Sequence, residues 1–129
     1  MIVVTAAIIE RDGLFLISRR RKNDTLGGLW EFPGGRVERN ETPDACMVRE
    51  LREELGVEAT PLALYDVAVR AGGKIALIFY MCSIVGDPLP LECDELCWVE
   101  LENLPQYPFT PADVFIAERL SRQGLSKRL

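Results

Sequence analysis

Histidine is absent from all 129 residues. That one absence removes Ser–His–Asp triads, histidine general bases and His-ligated zinc. No cysteine pair has the CxxC spacing of a zinc or redox motif. Cys46, Cys82, Cys93 and Cys97 therefore read as reduced, packed thiols of a cytoplasmic protein. No apolar run is long enough to cross a membrane. The opening Met1-Ile2-Val3-Val4 lacks a basic leader and runs into Glu10-Arg11-Asp12, so it reads as a strand rather than a signal peptide. An excess of basic charge is missing too: 15 Lys and Arg stand against 20 Asp and Glu, a net charge of −5. That balance argues against a surface for a nucleic acid polymer. A small phosphorylated ligand stays open, because a cation and a few arginines can meet its charge locally. Repeats and low-complexity stretches are also lacking. With 48% hydrophobic and 27% charged residues, the composition suits one globular domain over 1–129.

What the chain does have is concentrated between Gly34 and Val57, GGRVERNETPDACMVRELREELGV. Its second half carries the local signs of a helix. Thr42 is a hydroxyl N-cap, Pro43 stands at the first helical position, Asp44 lies in the first turn and Gly56 ends it. Ala45, Val48, Leu51 and Leu55 read as the buried stripe. Glu50, Glu53 and Glu54, at i, i+3 and i+4, share one face. Each like-charge pair at that spacing costs roughly 0.2–0.5 kcal/mol in an isolated helix. A divalent cation reverses the sign of that interaction, so the cluster reads as a site for a hard, oxygen-loving metal, Mg²⁺ or Mn²⁺.

The spacing Gly35-x₅-Glu41-x₇-Arg49-Glu50-Leu51-x-Glu53-Glu54-x-Gly56-Val57 matches the Nudix box over 23 contiguous residues with no departures. The chain thus resembles the Nudix hydrolase family, in its MutT-like branch. The resemblance implies an α/β fold, an α/β/α sandwich with a mixed sheet and a central metal-binding helix. It implies metal ligands at Glu50, Glu53 and Glu54 with the Gly34 carbonyl, and hydrolysis of a nucleoside diphosphate linked to a further group. Arg49 is expected to orient the carboxylates, with Glu41 in the same supporting role. In this branch a loop glutamate six residues before a tryptophan reaches the metal. Counting back from Trp98 places it at Glu92, as an added ligand or the base, with Glu53 as the rival base. The alternative is that Glu92, Asp94 and Glu95 are simply a solvated acidic loop.

The remaining strands and loops read in order. Residues 2–10 and Leu14–Ser18 form a hairpin about Arg11-Asp12-Gly13. Of the basic run Arg19–Lys22, the resemblance assigns Arg20 to the substrate phosphates, while Arg21 and Lys22 also fit a solvated face. Trp30 and Phe32 pack, with Glu31 on the alternate face. Leu62–Arg70 and Lys74–Ile84 read as a central hairpin, followed by a short strand near Leu96–Val99 and a helical turn near Glu102–Pro105. Thr110 and Pro111 open a last helix, and Ser126–Leu129 reads as a frayed tail.

Pro111-Ala112-Asp113 matches the element at the start of that helix whose third residue, in this branch, hydrogen-bonds the nucleobase. Ionised Asp113 only accepts, so it favours base edges with donors, as on cytosine, guanine or 8-oxoguanine. The segment resembles that of CTP or modified-dCTP pyrophosphohydrolases. The alternative is that Asp113 only caps the helix. Phe79, Phe109 and Tyr107 are candidates for stacking on the base. The expected partner is a nucleoside triphosphate, on a monomer or homodimer. Two other readings remain: a hydrolase of ADP-ribose or dinucleoside polyphosphates, and a non-catalytic nucleotide sensor, which the intact carboxylate set disfavours.

Overall fold

The computed structural model describes residues 1–125, so the expected frayed tail at Ser126–Leu129 lies outside the described residues. The first hairpin forms as the Asp-Gly signal predicts. β1 (Ile2–Arg11) turns at Asp12 and Gly13, φ 54° and 80°, into β2 (Leu14–Arg19). The two pair only at Glu10↔Phe15 and Arg11↔Leu14, then diverge. β1 continues between β4 (Gly34–Arg36), antiparallel to it, and β6 (Ile75–Val85), parallel to it. β2 instead pairs with β3 (Trp30–Glu31) and β7 (Glu95–Glu100). The parallel β1/β6 pairing makes the sheet mixed.

Alternation along the strands then fills two layers. Ala6, Ile8, Phe15 and Ile17 face one core with Ile116, Ala117 and Leu120 of α2 (Val114–Gln123). Ala7, Ile9 and Leu16 face the other core with Met47, Leu51 and Leu55 of α1 (Pro43–Leu55). A helix thus covers each face of the sheet, as the sandwich requires. Among the described residues no helix is long and apolar enough to cross a membrane.

α1 begins and ends where its caps predict. The Thr42 hydroxyl accepts from the Ala45 N–H at 3.1 Å, and Gly56 takes the left-handed conformation at φ 70°. The buried stripe differs from expectation: Ala45 is exposed and Val48 half-buried, whereas Cys46 and Met47 are fully buried. The helix is rotated so that Met47, Leu51 and Leu55 form the ridge on the sheet. The adjoining i, i+4 row is Cys46, Glu50 and Glu54; Cys46 and Glu50 lie against Gly35 of β4, and Glu54 Oε2 is shut off from solvent. This rotation is what buries part of the acidic face.

The second hairpin is offset from its expected place. β5 (Glu58–Arg70) starts four residues earlier than the Leu62 start that the apolar pattern suggests. It lies at the sheet edge with Leu62, Leu64, Val67 and Val69 exposed, so only β6 is central. Bulges between Pro61 and Ala63 and between Leu64 and Asp66 shift the register and turn Tyr65 and Asp66 inward. Arg119 of α2 forms an ion pair with Asp66 there.

Candidate active site

A cavity of about 170 Å³ opens beside β1, among β3, β4, β6 and the turn that precedes α2. β1 contributes Thr5 to its wall, the chain after β2 contributes Arg20, β3 contributes Glu31, and β4 contributes Gly34 and Gly35. Phe79 of β6 and Asp113 line it as well. The cavity therefore brings together Gly34, Arg20, Phe79 and Asp113, four of the positions expected to serve the site. Phe109 does not line the cavity. It is buried and stacks on Phe32, ring centroids 5.2 Å apart, while Tyr107 meets Trp30 edge-on at 5.4 Å. Phe79 is also buried and meets Phe115 edge-on at 5.7 Å.

Asp113 reaches the cavity through a backbone ladder. The Trp30 N–H donates to the Pro108 carbonyl and the Thr110 N–H to the Trp30 carbonyl, both at 2.9 Å. The next donor, the Phe32 N–H, goes to Asp113 Oδ2 at 2.8 Å. The Thr110 carbonyl is taken instead by the amides of Asp113 and Val114. Residues 111–113 form a turn for this reason, and the helix starts at Val114, three residues later than Pro111 suggests. Asp113 occupies the N-cap position, but its side chain makes no capping bond. Burial pushes its carboxyl up to about 7; the Phe32 N–H opposes this and the Glu31 charge adds to it.

Glu31, to which the sequence assigned no role, is the other acid of the cavity. Its carboxylate takes Arg20 Nη1 at 3.2 and 3.3 Å, and Arg20 Nε donates to the Thr25 carbonyl at 2.7 Å. Burial raises the Glu31 carboxyl above its ordinary range, with Arg20 opposing. The legible signal was an acid set between two packed aromatics on a strand.

The acidic row of α1 stands behind the two glycines. A Cβ on Gly34 would collide with the Thr5 carbonyl, and one on Gly35 would collide with the Glu50 carboxylate. Gly35→Ala is thus expected to displace Glu50 without unfolding the chain, since the obstacle is a side-chain end. A loss of activity of at least roughly tenfold at a near-normal melting temperature, in turnover and scanning calorimetry, checks this. Glu54 Oε2 is sealed from solvent without a hydrogen-bond partner. Burial, then the charges of Glu50, Glu31, Glu92 and Glu53, push the Glu54 carboxyl up to about 9. Burial also raises Glu50, against the opposing pull of Arg49.

Arg49 organises this cluster. It grips Glu41 through two bonds of 2.6 and 3.0 Å, reaches the Arg36 carbonyl at 3.1 Å and Glu53 at 3.1 Å, and lies 3.6 Å from Glu50. This bidentate hold keeps the Glu41 carboxyl down to about 2. Glu92 sits in an exposed loop between β6 and β7, near enough for its charge to raise both Glu50 and Glu54.

An all-oxygen donor set with an orphaned buried carboxylate suits a hard divalent cation. Among the described residues no three His, Cys, Asp or Glu side chains already converge to hold one. Glu53 is turned to Arg49, whose Nη1 donates to it at 3.1 Å.

The NUDIX domain family matches residues 1–120 of the chain. The protein belongs to the Nudix family. It is 42% identical to a CTP pyrophosphohydrolase of Escherichia coli over 92% of this chain and 90% of that one. It is 34% identical to an 8-oxo-dGTP diphosphatase of Haemophilus influenzae, over 93% and 91%. Among solved structures it resembles the E. coli ORF135 protein, with a TM-score of 0.86 and 39% identity over 98% of this chain and 93% of that one. The four cysteines of this Nudix chain are unbridged, Cys46 and Cys82 buried and Cys93 and Cys97 half-buried.

Proposed function

We propose that this Nudix domain is a Mg²⁺-dependent nucleoside triphosphate pyrophosphohydrolase that converts a triphosphate and water to the monophosphate and pyrophosphate. Its substrates are cytosine nucleotides such as CTP and modified dCTP, or 8-oxo-dGTP, and its role is sanitation of the cytoplasmic nucleotide pool. An enzyme acting on phosphoric anhydride bonds is what its family and relatives support. One observation carries the reading: Gly34 and Gly35 form a wall shared by the cavity and the acidic row, with Glu50 packed directly on Gly35. A base bound at Asp113 and Phe79 would project its phosphates across that wall toward the carboxylates.

Glu50, Glu53, Glu54 and the Gly34 carbonyl would hold the cation. Bound there, it supplies neutralisation of the phosphate oxygens and a lowered pKa for the attacking water. Arg49 sets the direction of the carboxylates through Glu41. Glu92, or Glu53 in its place, takes the proton of the water as its oxygen attacks phosphorus and the P–O–P bond breaks. Arg20 exchanges Glu31 for a phosphate oxygen. The Asp113 oxygen not bonded to Phe32 accepts from the amino group of the base.

A pyrophosphate-release panel with Mg²⁺ tests the proposal, comparing CTP, dCTP, 5-methyl-dCTP, dGTP, 8-oxo-dGTP, ADP-ribose and a dinucleoside polyphosphate. Preference for a cytosine or 8-oxoguanine triphosphate is expected. Activity on ADP-ribose or the dinucleoside alone would sink the role of Asp113. No turnover at all would leave a nucleotide sensor.

A further inference from the structure

Of the consecutive arginines Arg19, Arg20 and Arg21, only Arg20 lines the cavity. The other two hold the loop that carries Glu92. Arg19 pairs with Glu95 at 3.1 Å and Asp94 at 3.6 Å, while its own carbonyl accepts from the Asp94 N–H at 2.9 Å. Arg21 Nη2 donates to the Leu91 carbonyl at 2.9 Å. From the opposite side, the carbonyls of the last turn of α1 accept from the same loop: Leu55 from the Leu89 N–H at 2.9 Å, and Glu54 from the Leu91 N–H at 3.1 Å. Such helix-end carbonyls have no partner within their own helix.

Leu91 is therefore gripped at both ends. Its N–H is shared between the Leu89 carbonyl at 2.9 Å and the Glu54 carbonyl at 3.1 Å, and its C=O is held by Arg21. The Leu91–Glu92 peptide is thus anchored through its carbonyl by Arg21, and the peptide before it by α1.

We propose that Arg21 is a positioning residue that fixes the Leu91–Glu92 peptide, so that Glu92 faces Glu50 and Glu54 during turnover. This rests on the reading of Glu92 as base or added ligand given above. An arginine that served only solvation would need no carbonyl partner seventy positions away in the sequence. A displacement of about 1 Å in a catalytic group is enough to cost a large rate factor, so one hydrogen bond at the loop has leverage out of proportion to its stability.

The test uses the full chain with Mg²⁺ and its preferred triphosphate, in four variants: Arg21→Gln, Arg21→Lys, Glu92→Gln and the Arg21→Gln/Glu92→Gln double. Arg21→Gln is expected to lower kcat roughly 5- to 20-fold with KM within about twofold. Arg21→Lys, whose charged donor reaches farther from the backbone than the shorter glutamine amide, recovers most of that loss. The double variant is no slower than Glu92→Gln alone, because Arg21 acts only through Glu92. Amide hydrogen exchange in EDTA gives a second readout, independent of turnover. Arg21→Gln should speed exchange at Leu91 at least roughly tenfold and leave Leu51 unchanged. An impaired Glu92→Gln beside an Arg21→Gln with normal kcat overturns the inference alone, as do losses that multiply in the double variant. An unimpaired Glu92→Gln overturns the reading of Glu92, and the inference with it.

Discussion

Glu54→Gln is expected to stabilise the metal-free chain and nearly abolish its turnover. Glu54 Oε2 is buried without a partner, and its carboxyl is pushed up to about 9 by burial and by Glu50, Glu31, Glu92 and Glu53 around it. A folded-state pKa above the unfolded value means that the folded chain holds the proton more tightly. Stability therefore falls as pH rises from about 4.5 toward 9. Glutamine removes that loss, so the gain of the variant over the parent should be absent below pH 4.5 and grow through neutrality. At pH 7 an order of 3 kcal/mol is available, enough to raise the melting temperature in EDTA by several degrees. Turnover moves the other way, by roughly 10³-fold or more, because a carboxylate offered to the cation becomes a neutral amide. Calorimetry in EDTA and pyrophosphate release with Mg²⁺ measure the two halves. A variant that is both less stable and active would mean that Glu54 is a structural acid.

Asp113→Asn should change selectivity more than it changes rate. The Phe32 N–H can still be accepted by the amide oxygen, so the ladder that seats residue 113 survives. What changes is the second polar atom, from an acceptor to an N–H₂ donor. A base that presents an amino group loses its partner and meets a repelling donor. Uracil, which presents a carbonyl in the same place, gains one. The CTP-over-UTP ratio of kcat/KM is expected to fall at least roughly tenfold, in line with leaving one buried polar group unpaired. The same substitution carries a stability signature. With its folded pKa raised to about 7 from 3.8, Asp113 costs stability progressively as pH rises through that window. The difference between Asp113→Asn and parent should grow from pH 4 to pH 7 and then level off, with a ceiling of about 4 kcal/mol. An unchanged CTP-to-UTP ratio would assign Asp113 to backbone support alone.

The legibility of this chain follows the range of the interactions involved. α1 could be bounded from its sequence because Thr42, Pro43 and Gly56 act on their own neighbours. The acids on its surface were equally plain, since their spacing alone puts them together. How far the helix was rotated on the sheet was not legible. That depends on Met47 facing strands far away in sequence, and it decided that Cys46, not Ala45, was buried. The start of α2 was misplaced for a related reason: the Asp113 side chain is drawn to Phe32, 81 positions away, and Pro111 stays in a turn. Phe109 looked like a stacking platform from its place beside Pro111, yet its ring is used up against Phe32. Arg20, Gly34, Phe79 and Asp113 share a cavity, but the partner of Arg20 there, Glu31, was legible only as an acid between two packed aromatics.

The most direct test of the account is turnover of Glu53→Gln at saturating Mg²⁺. Glu53 is half-exposed and bonded to Arg49, so the fold should tolerate glutamine with an unchanged melting temperature. Pyrophosphate release should fall by roughly 10³-fold or more if the acidic face of α1 carries the chemistry. Retention of most activity with an ordinary Mg²⁺ dependence would contradict the placement of the site on that helix.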